Sequence, residues 1–560
     1  MSDGGHLVAR VRAHLEALYP GAALDGLLDQ VLTAAGVDPG RVPPTGVERW
    51  DETTSVVISY ADTVTEPGSR PLVTLRSVID RELGGVPSVV HVLPFFPSSS
   101  DGGFSVIDHL AVDAHLGSWA DVEALAEQVT VMADLVINHR SAASAEFEQF
   151  RRDVEPGRDW FRTASPDDDL GAVVRPRTHD LLRAVDTAGG LRHAWCTFSH
   201  DQIDLDFSNP EVLVATLEVL DRLMTAGVRW FRLDAVAYLW KEVGTPCIHL
   251  AQTHEVVRLL RTLVNHRDPA AVLITETNVP HAENLSYLGN GDEAHLIYNF
   301  SLPPLLLHTV LSGDPGPLQR WLATPTVSNG STVLNFLASH DGIGLRPAEG
   351  LLTDEQIDAL VDAARAAGGA HGSYATPLGE RPYEVNVSLH ELLGPQRSLA
   401  AHTLMLGLAG IPGLYVHSMF GTPNDHDAVN ASGLPRSINR SKLDRAELLR
   451  YLGQGEGAGR AHLEELLRRM SVRADQPAFH PDSPQRTVDL DSSVVAVERG
   501  PFRGQRILVL TNPSDRTIGV TLPAGWGDGG VDVLGGGAVR GTQVRLSPYG
   551  SVWLSASTES

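Results

Sequence analysis

Cysteine is almost absent: Cys196 and Cys247 are the two in 560 residues. So few exclude a disulfide framework, and their positions predict buried thiols. Long apolar runs are missing too. No stretch of roughly 18 apolar residues occurs, as a membrane span would need. The start, Met1-Ser2-Asp3-Gly4-Gly5-His6, has no apolar leader, so the expected compartment is the cytoplasm. Positive charge is in deficit, with 44 Lys and Arg against 69 Asp and Glu and a net charge of -25. That balance argues against nucleic acid, whose phosphates need a basic footprint. The acidity is read as a solubility device. His and Cys lack the paired spacings of a metal site, so neither a metal nor another cofactor is expected.

What is present is a repeated kind of strand ending. In Val228-Arg229-Trp230-Phe231-Arg232-Leu233-Asp234, side chains alternate, so Arg232 and Asp234 share a face inside an apolar run. Charges there are costly unless paired or used. Three other runs end alike: Val131 to Asn138-His139, Ala271 to Glu276, and Val333 to His340-Asp341. One such ending is ordinarily a helix cap. Four together suggest side chains converging on the C-terminal face of a parallel barrel.

The chain exceeds one core. Spacing predicts an N-terminal helical extension over 1–50 and a (β/α)8 barrel over 51–475. The eight strands expected are Val56–Tyr60, Val89–Phe95, Thr130–Asn138, Val228–Val236, Val272–Glu276, Leu296–Ser301, Thr332–Ser339 and Ile411–Val416. Helices are expected over Glu211–Thr225 and His254–Asn265. Two connections, about 140–227 and 342–405, are too long for barrel loops and read as lids or inserted subdomains, the second with a helix and a Gly-rich loop. From about 476 to 560, short strands split by Gly and Pro indicate a small β domain.

An Arg-paired carboxylate such as Asp234 stays ionised and can act as a nucleophile. Glu276 can serve as general acid and then base, and Asp341 as a third acid for sugar hydroxyls. Two carboxyls about 5–5.5 Å apart suit glycosyl transfer with retention. Any one of these residues alone reads equally as a cap or a salt bridge.

Asp134…Asn138-His139, Arg232-x-Asp234, Glu276 and His340-Asp341 resemble the four signature regions of the α-amylase superfamily, in matching order over about 50–475. The resemblance implies that Asp234 is the nucleophile, Glu276 the acid/base and Asp341 the transition-state stabiliser. It gives His139 and His340 donor-sugar contacts, with Arg232 supporting the nucleophile. His91-Val92-Leu93-Pro94-Phe95-Phe96-Pro97, Gly103 to His109, Lys241-Glu242-Val243-Gly244-Thr245, Val174-Arg175-Pro176-Arg177, Asn424-Asp425 and Ile438-Asn439-Arg440 are similar to the sucrose phosphorylase subfamily. There, phosphate breaks the glucosyl-enzyme. The implied donor-site residues are Asp62, His109, Phe198, Gln202 and Arg440, with no metal. Without the resemblance, Phe198 reads as well as a core aromatic.

Two departures bear on the substrate. Sucrose phosphorylases carry a His where this chain has Asn278, and an Asp-Leu-Tyr-Gln loop where it has Arg381-Pro382-Tyr383-Glu384. Arg175, Arg177, His179 and Arg381, with Asn278 and Tyr383, are expected to form an acceptor and phosphate site, since Arg forks match phosphate or carboxylate oxygens. Pairing of Arg175 or Arg381 with Asp180, Glu380 or Glu384 is the alternative. The expected reaction is phosphorolysis of sucrose 6-phosphate to α-glucose 1-phosphate. Glucosylglycerate comes next, then glucosylglycerol or sucrose, with an α-glucoside hydrolase or a non-catalytic homologue also open. The expected partners are a sugar and inorganic phosphate. Nothing in the sequence bears on oligomeric state.

Overall fold

The structure is a computed structural model that describes residues 3–324, 330–376, 379–453, 458–526, 530–535 and 538–557. Its centre is a closed parallel barrel of eight strands. These are β1 (Val56–Ser59), β2 (Val89–Val92), β3 (Thr130–Val136), β4 (Trp230–Asp234), β5 (Val272–Thr275), β6 (Leu296–Tyr298), β7 (Thr332–Asn335) and β8 (Ile411–Tyr415). All eight fall inside the expected runs, each shortened where the backbone turns into its loop. Every β1, β2 and β5 residue is buried. Strands covered on both faces need that continuous Val/Ile/Leu pattern. β1 pairs with β8 to close the ring, Ile58 opposite Tyr415.

The two expected helices run slightly longer, Pro210–Thr225 and Ala251–Arg267. The first starts as capping chemistry dictates: the Asn209 side chain accepts from the Glu211 N–H, and Pro210 fills the first turn. The N-terminal extension is two helices, Asp3–Leu18 and Leu24–Ala34, because Pro20-Gly21 ends the first. They pack on the outer helices. His14 meets Glu255 at 2.6 Å, and Arg10 donates to Thr262 at 2.9 Å.

The first long connection carries the antiparallel pairs His139–Ser141 with Gln202–Asp204, and Leu182–Thr187 with Gly190–Trp195. The second holds the expected helix, Asp354–Ala366. Where a Gly-rich loop was expected, a β-hairpin of Ala370–Thr376 and Gly379–Asn386 follows. Its second strand also pairs with Ile343–Gly344, which makes a three-stranded sheet. Near the C-terminus, Val495–Phe502, Gln505–Thr511 and Ser551–Ser557 form an antiparallel sheet. Trp553 and Val509 of that sheet belong to the same apolar core as the barrel. Cys196 and Cys247 are both buried and free. Among the described residues, no helix is long and apolar enough to cross a membrane.

Candidate active site

The barrel's C-terminal face opens into a cleft of about 610 Å³, mouth included. Its floor is built on β3, β4 and β5. Asp134 and Arg232 are direct cross-strand partners, so both point to one face. Arg232 Nη1 lies 2.5 Å from Asp134 and 2.8 Å from Asp234 Oδ1, and Nη2 lies 3.7 Å from Glu276. His91 of β2 donates its Nε2 proton to the other Asp134 oxygen at 2.9 Å. Ala235, just after β4, adopts φ +48°, a strained value for a residue with a Cβ. That turn aims its N–H at Glu276 Oε2, 3.1 Å away.

Three carboxyls around one guanidinium set the electrostatics. Burial opposes ionisation of Asp134, but His91 and Arg232 overcome it and hold the carboxyl below its usual range. At Asp234, burial and the nearby Glu276, Asp134 and Asp341 outweigh Arg232 and push the carboxyl well up. Glu276 is raised as well, by burial first and by Asp341, against Arg232. Arg232 thus favours the ionised form of Asp234 against burial and three neighbouring carboxyls. The two carboxyls titrate as a pair that holds a proton into the range where a lone carboxylate would have lost it.

Asp341 behaves oppositely. Burial is more than offset by its neighbours, which hold it well below the carboxylate range. Arg436 Nη1 is 2.7 Å from Oδ1, Arg440 Nη2 is 3.6 Å away, and His340 Nε2 is 3.3 Å from Oδ2. Burial lowers His340 to about 3, leaving it neutral, so the guanidiniums supply the charge. Asn439 Nδ2 donates to the carbonyls of Ser339 and Asp341, fixing this turn.

On the donor side, His139 gives its Nε2 proton to the Phe104 carbonyl at 2.9 Å, and burial keeps the ring neutral. Gln202 Nε2 donates to Asp101 at 3.2 Å. The Phe198 ring stands 5.6 Å from His139, with its edge on Tyr238. Phe104 stacks on His340 at 4.9 Å. Lys241 binds Asp204 at 2.9 Å and Asn138 at 2.8 Å, which ties the first insertion to the end of β3.

Of the residues singled out in the sequence, His139, Arg177, Phe198, Gln202, Arg232, Asp234, Glu276, Asn278, His340, Asp341 and Tyr383 line the cleft. Arg440 lines the wider vestibule above it. Asp62 and His109 do not reach the wall. Asp62 pairs with Lys442, and His109 donates to the Val136 carbonyl beneath the floor.

The anion site expected of four side chains is reduced to one. Arg381 turns outward onto Asp354 at 3.2 Å, with 41% of its side chain exposed. His179 Nδ1 bonds the Asp180 carbonyl, and Arg175 is exposed; neither borders the cleft. The hairpin explains the reversal: a bulge at Gly372/Ser373 leaves Tyr383 unpaired between Pro382 and Glu384, which breaks the alternation, so Tyr383 and Glu384 both border the cavities while Arg381 turns outward. Arg177 remains, with no carboxylate partner among the described residues and its guanidinium 5.8 Å from the Tyr383 ring centroid. Asn278 donates to Tyr383 Oη at 3.4 Å, while its Oδ1 is buried without a partner. A Cβ at Gly344 would come 2.8 Å from that oxygen, so any larger residue there would displace the Asn278 amide.

Sequence reasoning missed Arg436 and Asp101, and it quoted Phe104 and Lys241 within family-like stretches without giving either a role. Arg436 stands four residues before Arg440 on the turn Pro435–Asn439, a spacing that could have flagged it.

The α-amylase catalytic-domain family matches residues 82–313. A glucosylglycerate phosphorylase of Allomeiothermus silvanus is 41% identical over 90% of this chain and 91% of its own. One from Escherichia coli is 37% identical over 97% and 99%. The solved structure of a sucrose 6F-phosphate phosphorylase from Thermoanaerobacter thermosaccharolyticum superposes with a TM-score of 0.73 at 24% identity, covering 82% of this chain and 94% of that one. The fold, the signature residues and these relatives agree: the chain belongs to the α-amylase superfamily, in its sucrose phosphorylase-like group of glycoside phosphorylases.

Proposed function

We propose that this chain is a retaining glucosylglycerate phosphorylase, giving α-glucose 1-phosphate and glycerate. One observation carries the acceptor: among the guanidiniums lining the cleft, Arg177 alone lacks a carboxylate partner among the described residues. A single fork suits one carboxylate or one phosphate. Fructose 6-phosphate, a bulky dianion, needs several donors, and Arg175, His179 and Arg381 stand off the cleft. The identity of the glucosylglycerate phosphorylases to this chain supports the same reading. It replaces sucrose 6-phosphate as the favoured substrate.

In this reading Asp234 attacks C1 as the glycosidic C–O bond breaks, and Glu276 gives its proton to the leaving glycerate oxygen. Of the coupled pair, Glu276 holds the proton, because Asp234 receives the direct Arg232 hydrogen bond and Glu276 does not. Hydrogen phosphate then takes Glycerate's place at Arg177. Its oxygen bonds C1 as the C1–Asp234 ester breaks, and its proton passes to the Glu276 carboxylate. Asp341, held ionised by Arg436 and Arg440, stabilises the positive charge that develops at C1.

The test is a phosphorolysis panel that measures glucose 1-phosphate from glucosylglycerate, sucrose 6-phosphate, sucrose and glucosylglycerol. Glucosylglycerate is expected to lead. A lead for sucrose 6-phosphate, or glucose release that ignores phosphate, overturns the reading.

A further inference from the structure

Arg436 reaches two carboxylates at once. Its Nε and Nη2 bond the two Glu384 oxygens at 3.1 and 2.8 Å, and its Nη1 bonds Asp341 at 2.7 Å. Glu384 is only 7% exposed, and it lines both the cleft and the vestibule. Asn386 Nδ2 adds a contact to Glu384 Oε1 at 3.4 Å. The approach is close: a Cβ at Gly342 would lie 2.9 Å from the Glu384 carboxyl carbon. A fork–fork pair of this kind holds both partners in one plane. Without Glu384 the Arg436 fork, bonded to Asp341 through Nη1, would present its Nε and Nη2 to an anion in the cleft.

We propose that Glu384 is a specificity-determining and positioning residue: its carboxylate cancels the charge of Arg436 and turns that side chain to Asp341, leaving Arg177 as the cleft guanidinium without a carboxylate partner among the described residues. This rests on the reading of the cleft as a glucosyl-transfer site. It deepens that reading, because it explains how a cleft with three arginines offers an anion a single guanidinium. Glu384 acts through Arg436. Its negative charge falls on the acceptor side, so it governs which acceptor meets the glucosyl-enzyme and not whether that intermediate forms.

The experiment uses α-glucosyl fluoride as donor, so that it does not depend on the natural substrate. The acceptors are inorganic phosphate, glycerate and glycerol. All three meet the same glucosyl-enzyme, so the ratio of their kcat/KM values cancels any damage to Asp341. In Glu384→Gln the phosphate-to-glycerol ratio is expected to rise about tenfold or more, with a smaller rise for glycerate. Glu384→Asp keeps the charge and is expected to stay within about twofold of the wild-type ratio, even if absolute rates fall. The double variant Glu384→Gln, Arg436→Gln removes both charges and should return the ratio to the wild-type value. An unchanged ratio in a folded Glu384→Gln protein overturns the proposal. If that variant does not fold, a lowered ratio in the double variant overturns it. A wild type that prefers another glucoside in the phosphorolysis panel would sink the glucosylglycerate reading and leave these ratios to decide on Glu384 separately.

Discussion

Asp134 sits directly across the β3–β4 pairing from Arg232, and the two side chains meet at 2.5 Å with essentially no exposure. Asp134 is not on the cleft wall; it is the support beneath it. Removing one member of a buried charge cluster leaves the other undercompensated. Asp134→Asn is therefore expected to cost about 3 kcal/mol in urea unfolding and to lower activity by misplacing Asp234. Full activity with unchanged stability would contradict that role.

Asp234 and Glu276 should separate by leaving group. Asp234→Asn is expected to lose turnover on every donor while its thermal unfolding stays within a few degrees of wild type. Glu276→Gln should lose most activity on glucosylglycerate, whose alkoxide needs a proton, and keep far more on α-glucosyl fluoride, whose leaving group does not. Equal losses on both donors would remove Glu276 from the acid role.

Arg177 and Arg381 should behave differently, though both come from basic loop stretches. A charge-assisted contact that loses its partner costs on the order of 1.5–3 kcal/mol, so Arg177→Ala should weaken phosphate and glycerate about tenfold or more and glycerol much less. Arg381→Ala removes an exposed pair with Asp354, of a kind that contributes at most about 1 kcal/mol, and should alter no acceptor selectively. A selective loss of phosphate use in Arg381→Ala would restore the wider anion site.

Stability should fall in mild acid. Burial lowers His340, His402 and His417 to about 3 and His462 to about 4. Between roughly pH 6.5 and pH 4 the unfolded chain binds protons at these imidazoles and the folded chain does not. Unfolding therefore becomes easier as pH drops, by about 1.4 kcal/mol per pH unit for each such histidine. The urea midpoint should be lower at about pH 5 than at about pH 7, and His417→Asn should flatten that dependence. A midpoint independent of pH over this range would show that these rings take up protons in place.

The barrel and its acidic floor were legible because period-two alternation and burial act within one strand. Arg232-x-Asp234 shares a face whatever surrounds it. The acceptor side was not legible, because it depends on where the bulge falls in the pairing of Ala370–Thr376 with Gly379–Asn386. One step of register exchanges Arg381 for its neighbours at the cavity. Arg436 was overlooked for the same reason: its partners Asp341 and Glu384 stand 95 and 52 positions away in sequence.

The β1–β8 pairing that closes the barrel has a consequence for biosynthesis. Val56–Ser59 must wait for Ile411–Tyr415 to be synthesised, a gap of roughly 350 residues. At about 5–20 residues per second, translation takes roughly 20–70 s to cross it. Throughout that interval the nascent chain carries a bare Val-Val-Ile edge, the kind of strand that recruits stray partners. Slowing elongation should therefore raise aggregation of newborn chains before it changes anything about the finished protein.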